Sequence, residues 1–281
     1  MQIISEISEM KHLIRELRGR GKTIGFVPTM GYLHEGHLTL MRRAKQQTDF
    51  VVVSIFVNPL QFGVGEDFEE YPRDLSRDSA LAETAGVDLI FAPPVKDMYL
   101  KGYATFVEVE GITDRLCGKS RPGHFQGVTT VVTKLFNIVQ PDIAFFGQKD
   151  AQQSLVLQKM AADLNMNLKI EVVPIVREQD GLAMSSRNSY LSSRERQSAL
   201  VLSRSLNEAK DMISSGERST SSIKQKITEM IGREPSARID YVEILSVPDL
   251  DETEILHGQN LIALAVFIGK TRLIDNVIVE V

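Results

Sequence analysis

Two histidines are separated by two residues in Pro28-Thr29-Met30-Gly31-Tyr32-Leu33-His34-Glu35-Gly36-His37. Imidazoles can move protons or donate hydrogen bonds to an anion near neutral pH. The preceding run, Thr23 to Val27, reads as a buried strand, and Leu38 to Ala44 reads as a helix. The pair therefore sits where the carboxyl end of a strand meets a helix start. Open α/β sheets bind ligands at that edge, and the free N–H groups of a helix N-terminus favour a phosphate. A metal site would need a third ligand, and two helical histidines usually bind metal at i, i+4 spacing. Gly36, between the two, points instead to a close approach of backbone to ligand.

Other strand-end loops carry compatible groups. Asn58 and Gln61, in Val57-Asn58-Pro59-Leu60-Gln61-Phe62-Gly63, are neutral hydrogen-bonding groups that suit a polar substrate, although Asn-Pro is also a common turn. In Phe145-Phe146-Gly147-Gln148-Lys149-Asp150, Lys149 could bind a phosphate, and Asp150 could accept from ribose hydroxyls or cap a helix. Gln152 or Gln153 could face the same pocket. Met184-Ser185-Ser186-Arg187-Asn188 offers two hydroxyls and a guanidinium, a phosphate clamp or a polar linker. Arg121 and His124 lie in Arg121-Pro122-Gly123-His124-Phe125, an anion or carboxylate contact or a helix-entry turn. The acidic stretch Asp67, Glu69, Glu70, Asp74 and Asp78 reads as mainly solvated, with one carboxylate able to help hold Mg²⁺ through water. There is no Gly-x-x-x-x-Gly-Lys-[Ser/Thr] loop, no Gly-x-Gly-x-x-Gly after the first strand and no Gly-x-Ser-x-Gly elbow. A P-loop ATPase, a dinucleotide dehydrogenase and an α/β-hydrolase are thus disfavoured.

The elements that must position these loops alternate. Strands are expected at 50–56, 88–92, 143–146 and 168–173, and at 105–109 as an extended segment. Helices are expected at 8–18, 74–85, 127–139 and 151–164. This βαβα order predicts a mostly parallel sheet with helices on both faces. After about Ser185 the pattern changes to a helix from the Ser192–Glu195 capping box to about Ile213, a helix at 221–231, and strands at 239–245, 261–267 and 276–281. A small α+β domain follows, with the boundary near Ala183. The 281 residues suit one large domain or two ordinary ones, and 43% hydrophobic with 25% charged residues is an ordinary globular composition. A net charge of -5 argues against a nucleic-acid partner, and the single Cys117 excludes an internal disulfide framework and points to a reducing cytosol. The N-terminus lacks the regions of a signal peptide, and no apolar run is long enough for a membrane span.

His34-Glu35-Gly36-His37 resembles the HxGH signature of the nucleotidyltransferase superfamily, which includes the class I aminoacyl-tRNA synthetases. Met184-Ser185-Ser186-Arg187 looks like the counterpart of its second, Lys-Met-Ser-Lys-Ser type signature. The longer strings are Pro28–His37, Phe56–Phe62, Tyr71-Pro72-Arg73, Arg121–Phe125, Phe146–Asp150 and Asp180–Asn188. Together, and in this order along the whole chain, they are similar to the pantothenate synthetase (pantoate–β-alanine ligase) family. Leu100 departs from the pattern, since the family usually has Pro after the residue matching Tyr99.

The resemblance implies a Rossmann-like, doubly wound parallel sheet in an ATP- and pantoate-binding catalytic domain (1–182) and a smaller C-terminal α+β lid (183–281). It implies ATP-dependent condensation of pantoate with β-alanine through a pantoyl adenylate, releasing pyrophosphate and AMP, with Mg²⁺, in a cytoplasmic homodimer. Met30, Gly31, Tyr32, Leu33, His34, Glu35, Gly36 and His37 would line the ATP phosphates and the reacting centre, with His37 the proton donor and His34 stabilising the α-phosphate. Lys149, Ser185, Ser186 and Arg187 would hold phosphates. Gly147, Gln148 and Asp150 would lie along the ribose side, and Val176 and Met184 at the nucleoside. Gln61 and Gln153 would bind pantoate, with Met30, Asn58, Arg121 and His124 on the substrate side. Asp78 would contribute around Mg²⁺. The competing expectations are another HxGH-type nucleotidyltransferase and a non-catalytic nucleotide-binding module.

Overall fold

The computed structural model describes residues 1–63 and 65–281. Its first layer is a six-stranded sheet whose strand pairs are all parallel, built from β1 (Gln2–Ile4), β2 (Ile24–Thr29), β3 (Phe50–Ile55), β4 (Leu89–Phe91), β5 (Ile143–Gly147) and β6 (Lys169–Val173) in the order β1-β4-β3-β2-β5-β6. Apolar, β-branched runs such as Val51-Val52-Val53 suit strands covered on both faces, and all three are fully buried. The covering helices are α1 (Ile7–Gly19), α2 (Glu35–Gln47), α3 (Leu75–Thr84), α4 (Val95–Met98), α5 (Leu116–Ser120), α6 (His124–Val139) and α7 (Ala151–Asp163).

Strand order runs outward from β2 in one direction through β3 and β4 and in the other through β5 and β6. The switch point of this Rossmann-like sheet is therefore the crevice between the carboxyl ends of β2 and β5, the position where such sheets bind ligands. The His34–His37 loop leaves β2 there, and the Lys149 turn leaves β5 there.

The second unit has α8 (Ser193–Ser198), α9 (Leu200–Ser214) and α10 (Thr220–Gly232) packed on an antiparallel sheet, β7 (Ala237–Ser246), β8 (Gln259–Ile268) and β9 (Thr271–Glu280). Its helix-facing core includes Leu206, Ile227, Ile244 and Leu264. Leu245, Leu250, Leu261 and Ala263 instead join the core beneath α6 and α7, so the small sheet is seated on the large unit. Among the described residues no helix is long and apolar enough to cross a membrane.

Three expectations differ in detail. The helix expected over 192–213 starts at the Ser192–Glu195 capping box but divides at Ala199 into α8 and α9. The helix expected from Gly127 begins earlier, at His124, after Gly123 in the left-handed region (φ 81°). Residues 105–109 join no ladder: the Val107 N–H donates to Thr130 Oγ1 (3.0 Å) and its carbonyl accepts from Thr129 Oγ1 (2.6 Å), so hydroxyls of α6 replace a neighbouring strand. The edge strand β1 was too short to give a periodic signal.

Candidate active site

The histidine loop is held open by a carboxylate. Two consecutive residues after β2, Gly31 (φ 87°) and Tyr32 (φ 51°), take left-handed backbone conformations, which cost a tyrosine of order 1–3 kcal/mol unless the surroundings impose them. Asp78, on α3 and only 1% exposed, imposes them: its two oxygens accept from the Tyr32 and Leu33 N–H groups, each at 2.7 Å. Arg77 adds a bond from Nη2 to the Leu33 carbonyl (2.9 Å) and stacks on the Tyr32 ring. Burial lifts the Asp78 carboxyl above its ordinary value, against the pull of these two N–H groups. At Gly31 a Cβ would come within 2.9 Å of Asp78 Oδ2, so the loop needs glycine for space as well as for φ.

The two histidines cap α2 reciprocally. His34 Nδ1 accepts from the Gly36 N–H (3.2 Å), and His37 Nδ1 accepts from the His34 N–H (3.2 Å). An accepting Nδ1 carries no proton, so in each neutral ring the hydrogen resides on Nε2. The rings stack with centroids 4.0 Å apart. Gly36 lies under the His34 ring, where a Cβ would stand 2.9 Å from Cε1 and Nδ1. Burial, then the nearby Lys149 charge, lowers His34 to about 4. Burial, His34 and Lys149 lower His37 well below its ordinary value. At neutral pH the site thus presents two neutral Nε2–H donors rather than two imidazolium ions.

A second arm holds Gln61. Its Nε2 contacts Met30 Sδ at 3.0 Å, and its Oε1 accepts from Asn58 Nδ2 at 3.2 Å. Asn58 is 1% exposed; its Oδ1 accepts from Tyr99 Oη (2.7 Å) and the Leu60 N–H (3.3 Å), while its Nδ2 also donates to the Gly127 carbonyl (3.1 Å). Behind the arm, Arg121 donates to both oxygens of Glu66 at 2.6 Å, and His124 Nδ1 lies 2.8 Å from the Gln61 carbonyl. His124 donates there, which leaves its Nε2 to accept from Arg121 Nη1 at 3.1 Å. Burial and the Arg121 charge lower His124 to about 4, consistent with that neutral tautomer.

These groups line one cavity of about 240 Å³, which contains Met30, His34, Gly36, His37, Asn58, Gln61, Arg121, His124, Gly147, Lys149, Asp150, Gln153, Val176, Met184, Ser185, Ser186 and Arg187. A larger cleft of about 980 Å³ between the units shares Lys149, Asp150, Gln153 and Arg187 with it. Arg187 donates to both oxygens of Asp67, at 2.8 and 3.0 Å, beside the Tyr71 ring.

Not every expected residue reaches the cavity. Tyr32 and Leu33 give their N–H groups to the Asp78 clamp, the Gly31 N–H donates to Thr29 Oγ1 (3.2 Å), and Glu35 pairs at the surface with Arg42. Gln148 turns away, its Nε2 donating to Asn276 Oδ1 (3.3 Å). Asp78 does not line the cavity, and its two oxygens accept from the Tyr32 and Leu33 N–H groups of the loop. Among the described residues no three His, Cys, Asp or Glu side chains gather as a metal cage. Thr29, Tyr71, Asp67 and Tyr99 were not singled out as site residues. Nor was the face Val128, Val131, Val132 and Leu135, whose i, i+3, i+4, i+7 spacing signals a buried helix side without distinguishing core from pocket wall.

The family whose sequence model is described as Pantoate-beta-alanine ligase matches residues 2–278. A pantothenate synthetase of Heliobacterium modesticaldum is 64% identical over 281 residues, covering 100% of both chains, and one of Pelotomaculum thermopropionicum is 62% identical over 278 residues, covering 99% of each. Among solved structures, the pantothenate synthetase of Thermus thermophilus superposes with a TM-score of 0.94 at 46% identity over 99% of both chains. The pantoate-beta-alanine ligase of Francisella tularensis, solved with β,γ-ATP and β-alanine, superposes with 0.79 at 35% identity over 99% of this chain and 97% of that one.

Proposed function

The chain belongs to the pantoate–β-alanine ligase family, and from that premise we infer that it condenses pantoate with β-alanine to pantothenate at the expense of ATP. The observation that carries the assignment of roles is convergence. Two neutral Nε2–H donors, the Lys149 ammonium and the Ser185-Ser186-Arg187 turn meet in one cavity, beside the neutral amides of Gln61 and Gln153.

A carboxylate is a poor electrophile, and adenylation supplies a leaving group. In the first step the pantoate carboxylate, oriented by Gln61 and Gln153, attacks the α-phosphorus of ATP and pyrophosphate departs. Negative charge accumulates on the phosphate oxygens, where His34 and His37 donate from Nε2 and Lys149 compensates; Ser185, Ser186 and Arg187 take the outer phosphates. Gly147 and Asp150 receive the ribose, and Val176 and Met184 the nucleoside. In the second step the β-alanine amine attacks the acyl carbon, the amine loses a proton and AMP departs. Asn58, Arg121 and His124 position Gln61 rather than touch substrate. Residues 183–281 act as a lid on the ATP- and pantoate-binding unit, 1–182, and exclude water from the adenylate.

Mg²⁺ fits this site as an ion carried by the nucleotide, held mostly by phosphate and water oxygens, because no protein cage is present among the described residues. The chain works as a homodimer in the cytoplasm. Support for the dimer lies in the exposed apolar side chains Phe106 (49% exposed), in the unladdered 105–109 segment, and Leu100 (69%). Pantoate-dependent exchange of pyrophosphate into ATP without β-alanine tests the assignment. Exchange with another acid and none with pantoate would overturn it, and unchanged exchange in His37→Ala would remove that histidine from the phosphate.

A further inference from the structure

Among the described residues no hydrogen bond joins the Lys149 turn to the Met184–Arg187 turn; a dipeptide of the C-terminal sheet ties both. On β9, Asp275 and Asn276 are 2% and 4% exposed, although both are polar. Asp275 accepts from Arg177 at both oxygens, Nη1 to Oδ2 at 2.7 Å and Nη2 to Oδ1 at 2.9 Å, and Oδ1 also accepts the Asn276 N–H at 2.8 Å. Arg177 begins a hairpin whose return leads directly into Met184–Arg187. The Met184 N–H donates to the Val176 carbonyl (3.0 Å), and Arg177 Nη1 also donates to the Gly181 carbonyl (3.0 Å). Asn276 Nδ2 donates to the Gln148 and Lys149 carbonyls, each at 3.0 Å, while its Oδ1 accepts from Gln148 Nε2 at 3.3 Å.

Successive strand residues face opposite ways, so one β-strand can reach two loops at once. The bonds also have direction. A side-chain amide with two donors and one acceptor fits a turn that offers two carbonyls and one amide N–H. A carboxylate fits the bidentate guanidinium fork of Arg177. The two residues cannot exchange roles.

We propose that Asp275 and Asn276 are positioning residues for the adenylation step: they fix the distance between the Lys149 turn and the Met184–Arg187 turn, and so make the C-terminal sheet part of the triphosphate site. They touch no substrate and act through Lys149 and Arg187. The proposal rests on the assignment of those two residues to the phosphates.

A double-mutant cycle in the pantoate-dependent pyrophosphate exchange, on the full-length enzyme, tests both. Lys149→Ala alone should raise the KM for ATP; if it does not, the phosphate assignment fails, whatever Asn276 does. Given that effect, Asn276→Ala should raise the KM for ATP about tenfold and leave the KM for pantoate within about twofold. In the Lys149→Ala background the same change should add less than about twofold. Equal effects in the two backgrounds, or equal losses for ATP and pantoate, would overturn the proposal, since a merely structural defect predicts both. Should Asn276→Ala not fold, Asp275→Asn supplies the second arm. It keeps the shape but removes one acceptor from Arg177, and it should shift the ATP constant without additivity in an Arg187→Ala background. Additivity there would equally refute the clasp.

Discussion

Asp78→Asn separates the two roles open to this carboxylate. The native oxygens accept from the Tyr32 and Leu33 N–H groups at 2.7 Å each. An asparagine keeps one acceptor and turns an NH₂ toward the other N–H, leaving a buried donor unmet at a cost of about 1–3 kcal/mol. The neutral amide also escapes the desolvation that lifts the carboxyl of Asp78, so the net loss of stability should fall at the low end, about 1 kcal/mol. For a chain of this size that lowers Tm by about 2–4 °C. The effect on turnover is larger, because the unmet donor, on Tyr32 or Leu33, lies within two residues of His34, and the left-handed turn at Tyr32 loses part of what holds it. A displacement of about 1 Å at a reacting centre costs about 100-fold, or about 2.7 kcal/mol of barrier. The assay is kcat and kcat/KM across a Mg²⁺ titration, with Tm alongside. A clamp predicts a fall of about 100-fold in kcat at saturating Mg²⁺, with the Mg²⁺ requirement unmoved. If kcat is recovered by raising Mg²⁺, Asp78 serves the metal and the clamp argument is wrong.

Other consequences follow from the same loops. Gly36→Ala puts a methyl 2.9 Å from the His34 ring and should cut kcat by about 100-fold or more while Tm stays near that of the parent; a fully active alanine variant would show that the ring stacking is dispensable. His34 titrates near 4 when folded and near 6.5 when unfolded, as does His124, and His37 is shifted the same way. Between those values the unfolded chain binds more protons, so stability is full above about 6.5 and declines as pH falls toward 4. Urea midpoints at pH 7.5, 6 and 5 should decrease in that order, and His34→Gln should flatten the slope; a constant midpoint contradicts the neutral-histidine assignment. Tyr99→Phe removes the 2.7 Å donor to Asn58 and should raise the KM for pantoate about fivefold, about 1 kcal/mol, with the ATP constant unchanged. Equal shifts in both constants would place Asn58 outside the Gln61 arm.

Local signals made the parallel sheet and its ligand edge readable. The runs before His34, Asn58 and Lys149 are apolar and short, and each ends in a polar loop, so strand ends and loops were evident without coordinates. The Ser192–Glu195 capping box was readable for the same reason: its partners are three residues apart. Long-range partners were not readable. Asp78 lies 46 residues from Tyr32, Tyr99 lies 41 from Asn58, and Arg187 lies 120 from Asp67. Nothing in an acidic stretch distinguishes a solvated carboxylate from one that grips a backbone turn, and Asp67 and Asp78 differ from Glu69 only in what the fold brings to them. The same limit hid the side-chain partner of Gln148, which lies on β9, 128 residues away. Residues 105–109 alternate as a strand should, with Val109 buried and Phe106 exposed, yet pairing depends on a neighbouring strand, and among the described residues none pairs with them.

The charge state of the site bears on how it can favour a transition state. Arg187 is held by Asp67 in a bidentate, mostly buried pair that fixes the guanidinium; in the function proposed above, that cation meets the outer phosphates. Such a fixed cation attracts bound ATP and departing pyrophosphate alike, so it contributes affinity more than rate. His34 and His37 differ because burial and Lys149 keep them neutral. A neutral Nε2–H donor gains strength as negative charge grows on the oxygen it faces, and an approaching anion raises the pKa of the ring behind it. Its stabilisation is therefore greatest when charge at the α-phosphate is greatest. Two stacked imidazoles, each locked by a backbone N–H on Nδ1, supply that response without the reorganisation a mobile cation would need. The reciprocal cap on α2 fixes the tautomer, and under the proposed function the tautomer decides which nitrogen would meet the phosphate.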